Sequence, residues 1–160
     1  MRVALAATLA LIAAPAAAEL TRSDAHGFEV SHSVEAAASP ERSFAALSGE
    51  IDRWWSGDHS WSGDASNFYI DLNPGGCFCE RLPGGGHAEH LRLLFSRPND
   101  LLVFDGALGP LLSMPVNGRM TWKVEAAETG SRITFTYLVT GHPSAKLEAI
   151  APAVDGVIGE

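Results

Sequence analysis

Between Asn67 and Val139 the sequence is a succession of short segments in which apolar and polar residues alternate, each closed by a break rich in Gly, Pro or Asp. Phe68, Ile70 and Leu72 begin the series, followed by CFCERL (77–82) and by Leu91, Leu93 and Phe95. LLVF (101–104), Met120 with Trp122 and Val124, and Ile133 with Phe135, Tyr137 and Val139 complete it. A period of two is that of half-buried strands. The separators NPGG, PGGG, RPND and AAETGS have hairpin chemistry, so consecutive strands are expected to pair antiparallel. GALGPLLSMPVNG (106–118) is too rich in Gly and Pro for regular strand and reads as a loop able to pack over a pocket mouth.

Upstream, GFEVSHSVEA places Phe28, Val30, His32 and Val34 on one side of a further strand, preceded by a polar, flexible segment over 19–26. Ser39-Pro40-Glu41 then supplies an N-cap, a proline for the first helical position and an acid for the first turn, with Phe44, Ala45 and Leu47 as the buried stripe. Gly49 interrupts this helix, and Ile51, Trp54 and Trp55 predict a second short helix ending near Ser56. SGDHSWSGDASN is loop. At the other end, Ser144 is a suitable N-cap for an amphipathic helix with Leu147, Ile150, Val154 and Ile158 on one face and Val157 beside them. Pro152 is expected to kink or restart that helix. The apolar stripe still runs at Glu160, which suggests that the natural helix is longer.

The N-terminus reads as a secretory signal: Arg2, an apolar run from Val3 to Ala14, and small residues at Ala16, Ala17 and Ala18 before Glu19. Cleavage after Ala18 leaves 142 of the 160 residues, one domain with no membrane span, free in the periplasm or secreted. Loss of Arg2 takes the formal charge from −8 to −9, and no basic cluster offsets it, so nucleic acid is not an expected partner. There is no G-x-S-x-G, P-loop, dinucleotide fingerprint or H-E-x-x-H, which removes support for ordinary hydrolases, kinases and dehydrogenases. No cofactor is expected, and oligomeric state is left open.

The element order is strand, two short helices, six antiparallel strands and a C-terminal helix: an α+β, helix-grip arrangement. With Ser39-Pro40-Glu41-Arg42 and Phe44 after the first strand, the pair Trp54-Trp55, Trp122, and the strand Thr134-Phe135-Thr136-Tyr137, the chain resembles the START-like (SRPBCC) superfamily over Phe28–Glu160. The likeness is to its polyketide cyclase and heat-shock ATPase activator-like branches. The resemblance implies a domain over 27–160 in which a curved sheet wraps the last helix, with a cavity for a hydrophobic small molecule between them. Trp54, Phe78, Leu91, Leu93, Trp122, Tyr137, Ile150 and Val154 would line it. Superfamily members include carriers, receptors, cyclases and chaperone-binding domains, so fold alone does not select a function.

Chemistry could come from the hairpin around PGGG (83–86). If that loop has four residues, Glu80 opposes Glu89 and Phe78 opposes Leu91, putting Phe78, Glu80, Glu89, Leu91, Leu93 and Phe95 on one face. Two facing carboxylates would repel, raise one pKa and could share a proton, with His32 assisting, in a cofactor-independent cyclase, isomerase or hydratase. The same acids could instead sit at the wet end of the hairpin, since a one-residue slip reverses the facing. On the other face the register puts Cys77, Cys79, His90 and Arg92. Two thiolates and an imidazole could hold zinc or copper(I), but no obvious fourth ligand is near and no metal site is expected. Cys77 and Cys79 could also bridge, their Cα atoms about 6.6 Å apart on a regular strand, at the upper edge of disulfide geometry. His32 falls on an apolar face and needs a partner. A protein-binding domain of the ATPase-activator type is a third reading, which export opposes.

Overall fold

The structure, a computed structural model, describes residues 19–160; the signal-peptide expectation lies outside them. Eight strands form one antiparallel sheet: β1 (Glu19–Asp24), β2 (Gly27–Ala36), β3 (Phe68–Ile70), β4 (Cys77–Arg81), β5 (His87–Arg97), β6 (Leu101–Asp105), β7 (Val116–Ala127) and β8 (Gly130–Gly141). Their order is β1-β2-β8-β7-β6-β5-β4-β3. Strands adjacent in sequence pair as hairpins from β3 to β8, as the turn chemistry predicts. β2 crosses to pair with β8 over its whole length, so the first and last long strands lie side by side, one strand in from the β1 edge. Two helices complete the fold: α1 (Pro40–Gly49), and α2 (Leu147–Gly159), which packs on β2, β1 and β8. This is the helix-grip arrangement, with a curved antiparallel sheet holding a C-terminal helix.

Cross-strand partners make the inner face continuous. Val30, Tyr137, Met120, Phe104 and Leu93 form one row across β2, β8, β7, β6 and β5; His32, Phe135, Trp122 and Leu102 form the next. Most of these side chains are buried, and rows of aromatic and branched residues are what stabilise such a sheet. α1 begins as expected: the Ser39 hydroxyl accepts the Arg42 N–H at 3.4 Å and Pro40 occupies the first turn.

Four expectations need correction. The 19–26 segment is not a flexible lead-in, because Glu19–Asp24 is an edge strand paired with β2. The second short helix is only a 3-10 turn, Ile51–Arg53, after which Trp54 leaves helical geometry. α2 starts at Leu147 rather than at Ser144; a 3-10 turn over Pro143–Ala145 precedes it, capped by the His142 side chain, and Lys146 is left-handed at the junction. The helix then runs through Pro152 without restarting.

The fourth correction matters for the site. β5 carries two bulges, between the Phe78↔Leu91 and Cys79↔Glu89 pairs and between the Leu93↔Phe104 and Phe95↔Val103 pairs. A bulge leaves one residue unpaired and turns the side chains beyond it over. The hairpin loop also has five residues, 82–86, rather than four, so Arg81 pairs with His87 and Glu80 with Ala88, not Glu89. The first bulge then restores the expected Phe78–Leu91 pair, and Glu89 lies beside Arg92 on the outside at 2.9 Å. Past the second bulge Phe95 is about half exposed instead of facing the core.

Candidate functional site

The space between α2 and the inner face of the sheet holds two cavities, of about 520 and 410 Å³. Both are within the ordinary size range of small-molecule sites. The larger lies between β2, α1 and the end of α2, with walls from Leu47, Trp54, Ile133, Phe135 and Ile158 and polar groups from His32, Ser43 and Arg42. The smaller lies under the 57–61 loop and the Leu108–Met114 loop, with Phe68, Leu111, Met114, Ile150 and Val154 as walls and His90 among its lining residues. Trp55, His59 and Val157 border both and form the partition between them.

An aromatic floor runs beneath. Trp122 packs edge-on against Trp54 and Phe135, with ring centroids at 5.5 and 5.3 Å, and meets Phe104 at 5.0 Å. Phe78 continues the series to Trp55 at 5.2 Å and Phe68 at 5.4 Å, and His90 stacks obliquely on Phe68 and Phe78. Edge-to-face geometry at these separations adds to the burial of the rings themselves. Of the side chains expected to line a pocket, Trp54, Ile150 and Val154 do so. Phe78, Leu91, Leu93, Trp122 and Tyr137 instead form the packed layer below, each 8% exposed or less.

Tyr137 has a structural task there. Its hydroxyl donates to the Gly106 carbonyl (3.1 Å) and accepts the Leu108 N–H (2.9 Å), tying the 106–114 loop to the sheet. Burial pushes its pKa up to about 12, so it stays protonated. Gly118 makes this possible: a Cβ there would lie 2.7 Å from the Tyr137 oxygen. The loop so anchored lines the smaller cavity with Leu108, Leu111 and Met114.

Two histidine–carboxylate contacts join the helix to the rest. His32 Nε2 lies 2.8 Å from Asp155 Oδ1, linking β2 to α2 beside the larger cavity, and His59 Nε2 lies 3.0 Å from Glu160 Oε2 at the partition. The buried histidine of the first strand thus finds its partner on the C-terminal helix.

Glu80 and His90 are the most deeply buried titratable pair among the described residues, 0% and 2% exposed. Glu80 Oε1 accepts the Ser62 N–H at 2.6 Å; Oε2 accepts the Trp61 N–H at 3.1 Å and the His90 ring N–H at 3.0 Å. Burial alone would raise the carboxyl's pKa, but the hydrogen bonds from Ser62, Trp61 and His90 outweigh it and hold it below the usual range. The expectation of a raised pKa from a second carboxylate is overturned, since Glu89 is on the outer surface. Burial pushes His90 down, with Glu80 opposing, so the ring is neutral near pH 7. The bulge in β5 is what brings it here: a regular strand would put His90 on the outer face with Arg92. That face has no cysteine ligand set either, because Cys77 and Cys79 are bonded to each other across a Cα separation of 5.4 Å. Among the described residues no cluster of three or more His, Cys, Asp or Glu is arranged to hold a metal.

Glu80 is legible in the sequence as a site residue; its partner His90 and its two backbone donors in the 57–64 loop are not. PGGG locates the hairpin turn but not its length, since Arg81 pairs with His87 and the loop covers 82–86, and nothing in HAEHLRLLF marks the bulge.

No protein-family model matches the chain, and no curated protein matches it in sequence. Solved structures do match in shape. A protein from Rhodobacter sphaeroides superposes with a TM-score of 0.54 at 15% identity, covering 90% of this chain and 91% of that one. A Staphylococcus aureus protein of unknown function gives 0.56 at 13% identity, covering 82% and 86%. StfQ, a di-domain ARO/CYC from the steffimycin biosynthetic pathway, gives 0.54 at 15% identity over 84% of this chain and 48% of its own. At such identities the likeness is one of fold: this chain shares the helix-grip fold of the ARO/CYC protein StfQ.

Proposed function

We propose that this chain is an exported START-like protein that binds a hydrophobic small molecule between the sheet and the C-terminal helix. The carrying observation is the pair of cavities in that space, walled by apolar and aromatic side chains with a few polar groups set among them. The fold shared with StfQ supports the polyketide cyclase-like branch. The Cys77–Cys79 bond supports an oxidising compartment, and among the described residues no helix is long and apolar enough to cross a membrane. Chemistry by paired carboxylates loses its geometry, because Glu89 faces Arg92 outside while Glu80 is enclosed with His90.

The test is native mass spectrometry of protein purified from its own exported fraction, followed by organic extraction and a titration with 1-methylnaphthalene read by tryptophan fluorescence. The expected results are a mature N-terminus at Glu19 and either a retained apolar compound or saturable quenching from Trp54 and Trp55. An uncleaved cytoplasmic protein would remove the export reading. Absence of both retained compound and quenching up to the probe's solubility would remove the binding reading.

A further inference from the structure

One polar group on the lining of the smaller cavity has no partner among the described residues: His90 lines that cavity, and its Nδ1 is buried without a hydrogen bond. Which nitrogen carries the proton follows from Glu80. That carboxylate already takes two backbone N–H groups and is an acceptor, so the ring nitrogen 3.0 Å away, Nε2, must be the donor. In the neutral ring Nδ1 is then left as a bare lone pair. Burying an acceptor without a partner costs about 1–3 kcal/mol, which a ligand donating to it recovers.

We propose that the smaller cavity takes a neutral, largely apolar molecule bearing a hydroxyl group, and that this hydroxyl donates to His90 Nδ1 while Glu80 fixes the ring's tautomer. The inference rests on the reading of the interior as a ligand site and gives that site its chemical selectivity. Charge argues for neutrality: among the described residues no Lys or Arg lines this cavity, His59 at its border already faces Glu160, and Asp58 lines it, so a carboxylate or phosphate has no free counter-ion there. The walls argue for an apolar and flat body, with Phe68 and Trp55 on one side and Leu111, Met114 and Val154 on the others. Glu80 is a positioning residue, reaching the ligand only through His90.

The test compares 1-naphthol with 1-methylnaphthalene, which differ by a hydroxyl against a methyl, by fluorescence titration and by long-range proton–nitrogen NMR of the histidine rings. The methyl compound is the more hydrophobic, so cavity burial alone favours it. The expected result is 1-naphthol binding about tenfold or more tighter, with the His90 Nδ1 resonance shifting on addition and Nε2 remaining the protonated nitrogen. His90→Phe, which keeps an aromatic ring against Phe68 and Phe78, is expected to abolish the preference while 1-methylnaphthalene still binds. Should that variant not fold, the probe pair and the nitrogen spectrum on the wild-type protein decide alone. Equal binding of the two probes overturns the hydroxyl anchor but leaves the cavity reading intact, as does a preference that leaves Nδ1 unmoved and traces to Asp58 or Ser60. Binding of neither probe overturns both.

Discussion

Both oxygens of Glu80 face N–H donors, so this position distinguishes a carboxylate from its amide more sharply than size or polarity would suggest. In Glu80→Gln the new NH2 group must point at the Ser62 N–H, the Trp61 N–H or the His90 ring, whichever way the amide flips. A buried donor facing a donor costs about 1–3 kcal/mol, and that is the loss of unfolding free energy expected by urea titration at pH 7. The pH dependence has a definite sign. His90's folded pKa lies below its ordinary value of 6.5, so as pH falls past that point the unfolded chain takes up a proton that the folded one refuses. Glu80's folded pKa is also depressed: its stabilisation is complete above the ordinary value of 4.5 and is lost as pH falls through the folded value. Both act in the same direction. Thermal midpoints should therefore decline from about pH 6.5 downward, and in His90→Phe the first part of that decline, between pH 6.5 and 5, should flatten. An unchanged slope in the variant would show that other groups govern the acid limb.

At the scale of the element, β4 and β5 carry both the cysteines and the bulge that presents His90. The Cys77–Cys79 bridge spans a sequence separation of only 2. Closing so short a loop withdraws about 1.6 kcal/mol of unfolded-chain entropy, less than the 2–4 kcal/mol typical of longer bridges. The double variant Cys77→Ser/Cys79→Ser is accordingly expected to lose no more than about 2 kcal/mol in urea titration and to keep the probe preference of the smaller cavity. A larger loss would mean that the bridge holds the bulge register itself. The hairpins, their antiparallel pairing and the cap of α1 were legible because each is written in a local pattern: alternation, turn residues, or Ser39-Pro40-Glu41. β1 was not, since an exposed edge strand such as ELTRSD has no need of alternation and is held by the backbone of β2. The bulges were not either, because HAEHLRLLF alternates well enough for a regular strand. What favours the bulge is tertiary: His90 gains Glu80 inside, and Glu89 gains Arg92 outside. Thus the site's acid was visible in the sequence while its partner was assigned to the wrong face.

For the whole molecule, the sheet and the helix meet through two kinds of contact that should respond oppositely to added volume. Ala151 is fully buried in the packed part of the α2 interface, next to Leu147 in the same buried stripe. Val157, six residues on, is half-buried and borders both cavities. Enlarging a side chain in a close-packed region forces neighbours off their rotamers at about 1–3 kcal/mol, whereas enlarging one that faces empty space adds dispersion contacts and buried apolar area. Ala151→Leu is therefore expected to lower the unfolding free energy by that amount. Val157→Trp should leave it unchanged or raise it slightly, while weakening 1-methylnaphthalene binding by about tenfold or more, equivalent to about 1.4 kcal/mol of lost affinity. The two results separate a cavity built to receive a molecule from mere loose packing of the helix. If the helix were loosely seated along its whole length, Ala151→Leu would be tolerated as well as Val157→Trp, and the apolar space would be general slack instead of a bounded site. Equilibrium unfolding of both variants, with probe titration of each, measures this directly.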